Sequence, residues 1–152
     1  MYVSLPFKMP EEGFLPQQEQ TGQLDQAKKA LHILLAEDDV SNQYPLRKLL
    51  EIMGHSVTLG EDGQQVLDLL KAQDFDVILM DIRMPVMDGV ETTRIIRSST
   101  DLGIKKDIPI IALTAYAMQG DREKFLEAGM DNYLAKPVQL KDLAEALSRY
   151  SG

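Results

Sequence analysis

The sequence predicts an α/β domain in which helices cover both faces of a parallel sheet, and three observations carry that prediction. From Leu31 onward, short strand-like runs and longer helix-like stretches alternate about five times, as crossover helices between parallel strands require. The apolar runs are continuous, as in Ile33-Leu34-Leu35-Ala36 and Val77-Ile78-Leu79-Met80. Strands buried on both faces look like this, whereas half-exposed strands alternate. Each run also ends on a polar side chain: Glu37, Asp38 and Asp39 follow the first, Asp81 follows the second, and the later runs end at Thr114 and Lys136.

Taken in order, residues 2–7 alternate like an edge strand but have no strand partner nearby. Residues 8–30 carry Pro10, Gly13, Pro16 and Gly22 among Gln and Glu with few apolar anchors, a linker composition, which puts the domain boundary near Ala30. The organisation expected is a linker segment over 1–30, a folded domain over 31–150 and a two-residue tail, 151–152. The first strand ends at Ala36, and a helix follows with Leu46, Leu49, Leu50 and Met53 at steps of three and four. Pro45 falls early in it, where a missing N–H and a bulky ring predict an irregular start. A second strand covers residues 55–59, and Gly60-Glu61-Asp62-Gly63 turns into a helix reaching about Ala72. The third strand ends at Asp81, and its helix runs over about 89–97. Ile110-Ile111-Ala112-Leu113 is the fourth strand, and residues 119–128 form the next helix, with Gly129 as its stop. Asn132-Tyr133-Leu134-Ala135 is the fifth strand, and the last helix is expected to bury Leu140, Leu143, Ala144 and Leu147. No internal repeat exceeds the strand and helix unit.

Composition narrows the function. A chain of 152 residues with 44% hydrophobic residues has enough for one sizeable core. Sixteen Lys and Arg against 24 Asp and Glu give a net charge of −8, which disfavours nonspecific contact with nucleic acid or an anionic membrane. There is no cysteine, so thiolate chemistry and disulfides are excluded, and no apolar stretch approaches the ~20 residues that span a bilayer. The first residues lack the basic-then-apolar layout of a secretory signal, so a cytoplasmic setting is expected. His32 and His55 are two isolated histidines, too few for a metal site, and read as structural or exposed.

In a parallel sheet the carboxyl ends of neighbouring strands share one edge, so Glu37, Asp38, Asp39 and Asp81 can converge on one anionic pocket. Thr114 and Lys136 join the same edge, and acids, hydroxyl and lysine in that order outline a phosphoryl-accepting site. Taken singly the residues say less. Asp38 or Asp39 alone would be a helix N-cap, a reading kept for Asp39. Asp81 alone would be an ordinary strand-end acid, and Lys136 a turn lysine.

Together, Leu34-Leu35-Ala36-Glu37-Asp38-Asp39, Met80-Asp81-Ile82-Arg83-Met84-Pro85-Val86-Met87-Asp88-Gly89, Leu113-Thr114-Ala115 and Leu134-Ala135-Lys136-Pro137 resemble the receiver domain of two-component response regulators. Asn42-Gln43 and the stretch Gly129-Met130-Asp131-Asn132-Tyr133-Leu134-Ala135-Lys136-Pro137 are most similar to receivers fused to hybrid histidine kinases, and residues 2–7 resemble the last strand of a kinase ATP-binding domain. The resemblance implies a flavodoxin-like, doubly wound sheet of five parallel strands in the order 2-1-3-4-5, flanked by five helices. It implies Asp81 as phosphoacceptor from a phosphohistidine. It further implies Mg²⁺, or Mn²⁺ in its place, held by Asp38, Asp81 and the backbone carbonyl of Arg83, with Glu37 acting through water. All-oxygen ligands suit such a hard ion. Lys136 would bridge to the phosphoryl group beside a cis Lys136-Pro137 peptide. Thr114 with Ala115 would bind the phosphoryl group, and Tyr133 would answer by turning inward. Implied partners are the phosphodonor domain of a histidine kinase, meeting the first helix, and a histidine phosphotransfer domain. The parent could be a membrane-anchored sensor kinase, and oligomeric state is left open. Arg83 and Tyr116 occupy positions that tune hydrolysis, and neither orients water, so a long-lived acyl phosphate is expected. Three alternatives compete: an interaction module that is never phosphorylated, an aspartyl-phosphate hydrolase and a flavin carrier. The hydrolase would want an acid where Arg83 stands, and the flavin carrier's phosphate loop would be Gly-rich where this one is acidic.

Overall fold

The computed structural model describes residues 30–115 and 119–151. Expectations for residues 1–29 and for Tyr116 lie outside the described residues. One compact unit runs Ala30–Tyr150. Its elements are β1 (His32–Ala36), α1 (Val40–Ile52), β2 (Ser56–Gly60), α2 (Gly63–Ala72), β3 (Val77–Asp81), α3 (Gly89–Ser98), a 3-10 helix (Gly103–Asp107), β4 (Ile110–Thr114), α4 (Gln119–Ala128), β5 (Asn132–Ala135) and α5 (Leu140–Ser151). The sheet is wholly parallel in the order β2-β1-β3-β4-β5, as expected.

Strand periodicity divides the core in two. Leu34, Ala36, Ile78, Met80, Ile110 and Ala112 face α2, α3 and α4, where Val66, Leu70, Ile96 and Phe125 close over them. Ile33, Leu35, Val77, Leu79, Ile111 and Leu113 face α1 and α5 through Leu46, Leu50, Leu143 and Leu147. Every residue of β3 and β4 is buried, which is why their sequences run apolar without alternation. Each such aliphatic side chain contributes about 1.5–3 kcal/mol through burial. The final polar residues, Asp81 and Thr114, lie inside these strands as their last members.

Two expectations need correction. Helix α1 runs unbroken from Val40 to Ile52 with Pro45 inside it, so its start is regular. Asp39 caps it, accepting from the Ser41 N–H at 2.9 Å, and the Asp39 carbonyl accepts from both Asn42 and Gln43. With that first turn secured, Pro45 forfeits one backbone bond on an otherwise satisfied helix. In α5 the buried stripe is Leu143, Ala146 and Leu147, whereas Leu140 and Ala144 are exposed. Leu143, Ala146 and Leu147 belong to one apolar cluster with Leu113 and Leu134, so this stripe, and not Leu140 and Ala144, is the face turned to the core.

Gly129 ends α4 as anticipated. At φ 108° its N–H reaches the Leu126 carbonyl and the next N–H, of Met130, reaches Phe125. This paired closure needs a left-handed residue, which glycine adopts without penalty. Among the described residues no helix is long and apolar enough to cross a membrane.

Candidate functional site

The carboxyl edge of the sheet gathers side chains from four neighbouring strands. Glu37 and Asp38 leave the end of β1, Asp81 ends β3, Thr114 ends β4, and Lys136 follows β5. The registers align them: Ala36 pairs with Met80, Asp81 with Leu113 and Thr114 with Ala135. Carboxylate oxygens of Glu37, Asp38 and Asp81 lie within 4.8 Å of one another. Glu37 and Asp81 are buried, whereas Asp38 faces solvent.

Lys136 ties the two buried acids together. Its Nζ lies 3.0 Å from Glu37 Oε1 and 3.1 Å from Asp81 Oδ1. Burial pushes the ammonium's pKa down, but the bonds to Glu37 and Asp81 outweigh it and the pKa ends above its ordinary value. Lys136 is therefore charged at neutral pH. The other end of the pair behaves differently. Burial pushes the Glu37 carboxyl up, Lys136 and the Asp39 N–H pull it down, the neighbouring Asp81 pushes it up again, and the net shift is upward. A carboxyl 1% exposed loses more hydration than one ammonium returns.

Backbone contacts hold the acids in place. The Glu37 N–H donates to the Gly60 carbonyl, and the Arg83 N–H donates to Asp81 Oδ1 at 3.3 Å. Gly89 N–H bonds the Ile82 carbonyl, and a Cβ on Gly89 would overlap the backbone oxygen of Asp81. The glycine of the Asp88-Gly89 turn is thus required by close approach to the site. The Lys136 N–H bonds the Thr114 carbonyl at 2.8 Å, joining the last two strand ends, and the Lys136–Pro137 peptide is cis.

Thr114 is buried, and Ala115 after it is exposed. Thr114 and Tyr133 share a face of the sheet, since Ala112, two residues before Thr114, pairs with Tyr133. Tyr133 is half-buried against the α2–α4 side of the core, and the Arg122 guanidinium lies 6.0 Å from its ring centre. Arg83, Asp38 and Thr114 open onto a groove of about 950 Å³ that continues past Met84, Arg94 and Lys124.

Gln43 entered the reading from sequence only as part of a family resemblance, with no structural role assigned to it. Gln43 is 7% exposed and its Nε2 donates to the Glu37 backbone carbonyl at 2.6 Å. Its spacing to Leu46 and Leu50, three and then four residues, was the available signal: a polar side chain in line with a buried stripe.

A hard divalent cation fits this donor set. The three carboxylates offer only oxygen and converge within 4.8 Å of one another, the kind of donor set a hard divalent ion prefers.

The profile of the response regulator receiver domain matches residues 33–148. Hybrid signal transduction histidine kinase I of Dictyostelium discoideum is 44% identical over 121 residues, covering 76% of this chain. The chain spans only 7% of that kinase's length. Among solved structures, the receiver domain of sensor histidine kinase PA1611 from Pseudomonas aeruginosa, with a magnesium ion in its active-site cleft, is 45% identical, with a TM-score of 0.71. The alignment covers 80% of this chain and 97% of that one. The Saccharomyces cerevisiae complex of the phosphotransfer protein Ypd1 with the receiver domain of Ssk1 matches at 30% identity and a TM-score of 0.73, over 81% of this chain and 90% of that one. With the profile spanning the sheet and every acid at its edge, the chain belongs to the response regulator receiver domain family.

Proposed function

We propose that this domain accepts a phosphoryl group on Asp81 from a phosphohistidine and relays the event to the surface around α4, β5 and α5. The observation that carries the reading is the shared ammonium: Lys136 holds both Glu37 and Asp81 beside the exposed Asp38. A nucleophilic carboxylate at neutral pH must stay ionised among other acids, and a neighbouring cation makes that possible.

In the transfer, an Asp81 oxygen attacks phosphorus as the phosphorus–nitrogen bond to imidazole breaks. The electron pair leaves with the ring nitrogen, and Asp81 becomes an acyl phosphate. Lys136 is placed to shift from its carboxylates toward the new phosphoryl oxygens, and Thr114 offers its hydroxyl from the adjoining strand end. Mg²⁺, when bound, neutralises charge on the transferring group. Its protein ligands would be Asp38, Asp81 and the Arg83 carbonyl, with Glu37 holding it through water. Mn²⁺ would satisfy the same oxygen donors.

The phosphodonor would be a histidine kinase or a histidine phosphotransfer protein. The exposed Val40 and Tyr44 on α1, next to the site, offer the apolar contact such a partner needs. The kinship with hybrid kinases supports reading this receiver as one module of a larger kinase. Arg83 offers neither carboxylate nor amide to position an attacking water, which supports slow hydrolysis of the acyl phosphate.

The test is intact-protein mass after incubation with Mg²⁺ and a small-molecule phosphodonor. One phosphoryl mass is expected on the parent and none on Asp81→Asn or after chelation of Mg²⁺. An unmodified parent beside a control receiver that takes up phosphate would favour an interaction module that is never phosphorylated.

A further inference from the structure

We propose that Gln43 is a positioning residue for the divalent cation, acting through the backbone on either side of Asp38; the inference rests on the metal reading above. Asp38 is the exposed member of the acidic trio, and among the described residues no side-chain hydrogen bond or ion pair holds its carboxylate. Glu37, by contrast, is fixed by Lys136 and Asp81 by Lys136 and the Arg83 N–H. The main chain therefore sets where the Asp38 Cα–Cβ bond points and so which positions its carboxylate can reach.

That main chain is pinned at both peptide planes. The plane between Glu37 and Asp38 is held by Gln43 Nε2, which donates to the Glu37 carbonyl at 2.6 Å. The plane between Asp38 and Asp39 is held by the Asp39 N–H, which donates to Glu37 Oε2 at 3.2 Å. Gln43 also contributes its own N–H to the Asp39 carbonyl at 2.9 Å, so one residue grips the chain before and after Asp38. The two planes fix φ and ψ of Asp38, and with them its Cα–Cβ direction.

Burial makes the side-chain grip strong. Gln43 is 7% exposed, so water competes poorly for the Glu37 carbonyl, and losing the amide would leave that carbonyl short of a partner. The rotation that would re-satisfy it swings the 37–38 plane and carries the Asp38 carboxylate away from Asp81. Partners that orient metal ligands typically change affinity by ten- to a hundred-fold when removed. Because Gln43 sits on α1 beside the exposed Val40 and Tyr44, the same bond links the outer surface of α1 to the acid it orients.

The measurement is Mg²⁺ titration by calorimetry, without phosphodonor, on the parent, Gln43→Met and Leu50→Ala. Met matches the size of Gln but cannot donate. Leu50→Ala loosens the buried side of α1 while leaving both grips intact. Gln43→Met is expected to weaken Mg²⁺ binding about tenfold, and Leu50→Ala to lower the unfolding midpoint with little change in binding. With a phosphodonor, Gln43→Met should need more Mg²⁺ for half-maximal labelling yet approach the parent rate at saturation. Parental affinity in a folded Gln43→Met would overturn the proposal, as would an equal loss in Leu50→Ala. Should Gln43→Met fail to fold, Gln43→Asn, one methylene too short to reach the carbonyl, takes its place under the same criteria. A parent that binds no Mg²⁺ would defeat the reading of the metal site itself and this inference with it.

Discussion

Lys136 is shared between two buried carboxylates, and its removal would leave Glu37 and Asp81 without the ammonium that bridges them. The ammonium is 22% exposed, so solvent screens part of the interaction. The cost falls between the ~1 kcal/mol of an exposed pair and the 3–5 kcal/mol of a fully buried one, at about 2 kcal/mol. Lys136→Met should therefore unfold at lower denaturant without divalent ions, and Mg²⁺ should restore much of the difference by replacing the lost charge. A variant destabilised equally with and without Mg²⁺ would show that the ion and the ammonium do not act on the same carboxylates. Gly89 makes a second residue-scale case. A Cβ there would overlap the Asp81 backbone oxygen, so Gly89→Ala must displace the strand end that carries the acid. A stability loss of about 1–3 kcal/mol is expected from the overpacking, with slower labelling of Asp81 by a small phosphodonor. Labelling at the parental rate would mean that the loop absorbs the methyl without moving Asp81.

Between elements, long polar side chains join parts that hydrophobic periodicity does not connect. Arg97, at the end of α3, donates to the Gly129 carbonyl at 2.8 Å and the Lys106 carbonyl at 2.6 Å, and pairs with Asp131 at 3.1 Å. Asp131 in turn accepts from the Ile110 N–H at the start of β4. Hydrogen bonds to a charged donor contribute about 1.5–3 kcal/mol each when buried, and this half-exposed set should total less than its sum. Arg97→Met is expected to lower stability by about 2 kcal/mol and to speed amide exchange at Gly129 and Met130. Unchanged exchange there would assign the loss to α3 alone. At the opposite edge of the sheet, His55 Nδ1 accepts from the Leu31 N–H at 3.0 Å, which only the neutral ring allows. Burial lowers its pKa below the ordinary 6.5. The unfolded chain then binds more protons between the two values, so stability rises with pH across that window and is lost as pH falls below about 6.5. The melting temperature should drop between about pH 7.5 and 5.5, and His55→Gln should flatten that part of the profile. Equal slopes in both proteins would place the titration elsewhere.

Across the whole molecule, what was legible follows from where each feature's cause lies. Strand positions and the site edge were legible because a two-sided parallel strand must run apolar and can present chemistry only where it ends, as Asp81 and Thr114 do. The 3-10 helix at Gly103–Asp107 was not anticipated. It is held by Lys105, which reaches the carbonyls of Leu70 in α2 and of Gln73 just after it, contacts 35 and 32 residues away that leave no local pattern. The turn of α5 away from Leu140 and Ala144, and the unequal burial of Glu37 and Asp38, likewise depend on packing partners. The same sheet geometry sets the last expectation. Thr114 and Tyr133 lie on one face, diagonal across β4 and β5, so movement of the Thr114 hydroxyl toward a phosphorylated Asp81 opens space on the side where Tyr133 packs. New charge-assisted bonds from Thr114 and Lys136 supply roughly 1.5–3 kcal/mol each, against the ~5.5 kcal/mol that carries a population from 1:99 to 99:1. Phosphorylation alone should thus shift most but not all molecules, leaving a partner to complete the change. Thr114→Val keeps the volume and removes the hydroxyl. It should still gain the phosphoryl mass, while the Tyr133 ring resonances, displaced on phosphorylation of the parent, move far less. Equal displacement in both proteins would show that the ring responds to Lys136 or to charge alone, and that the hydroxyl is not the coupling element.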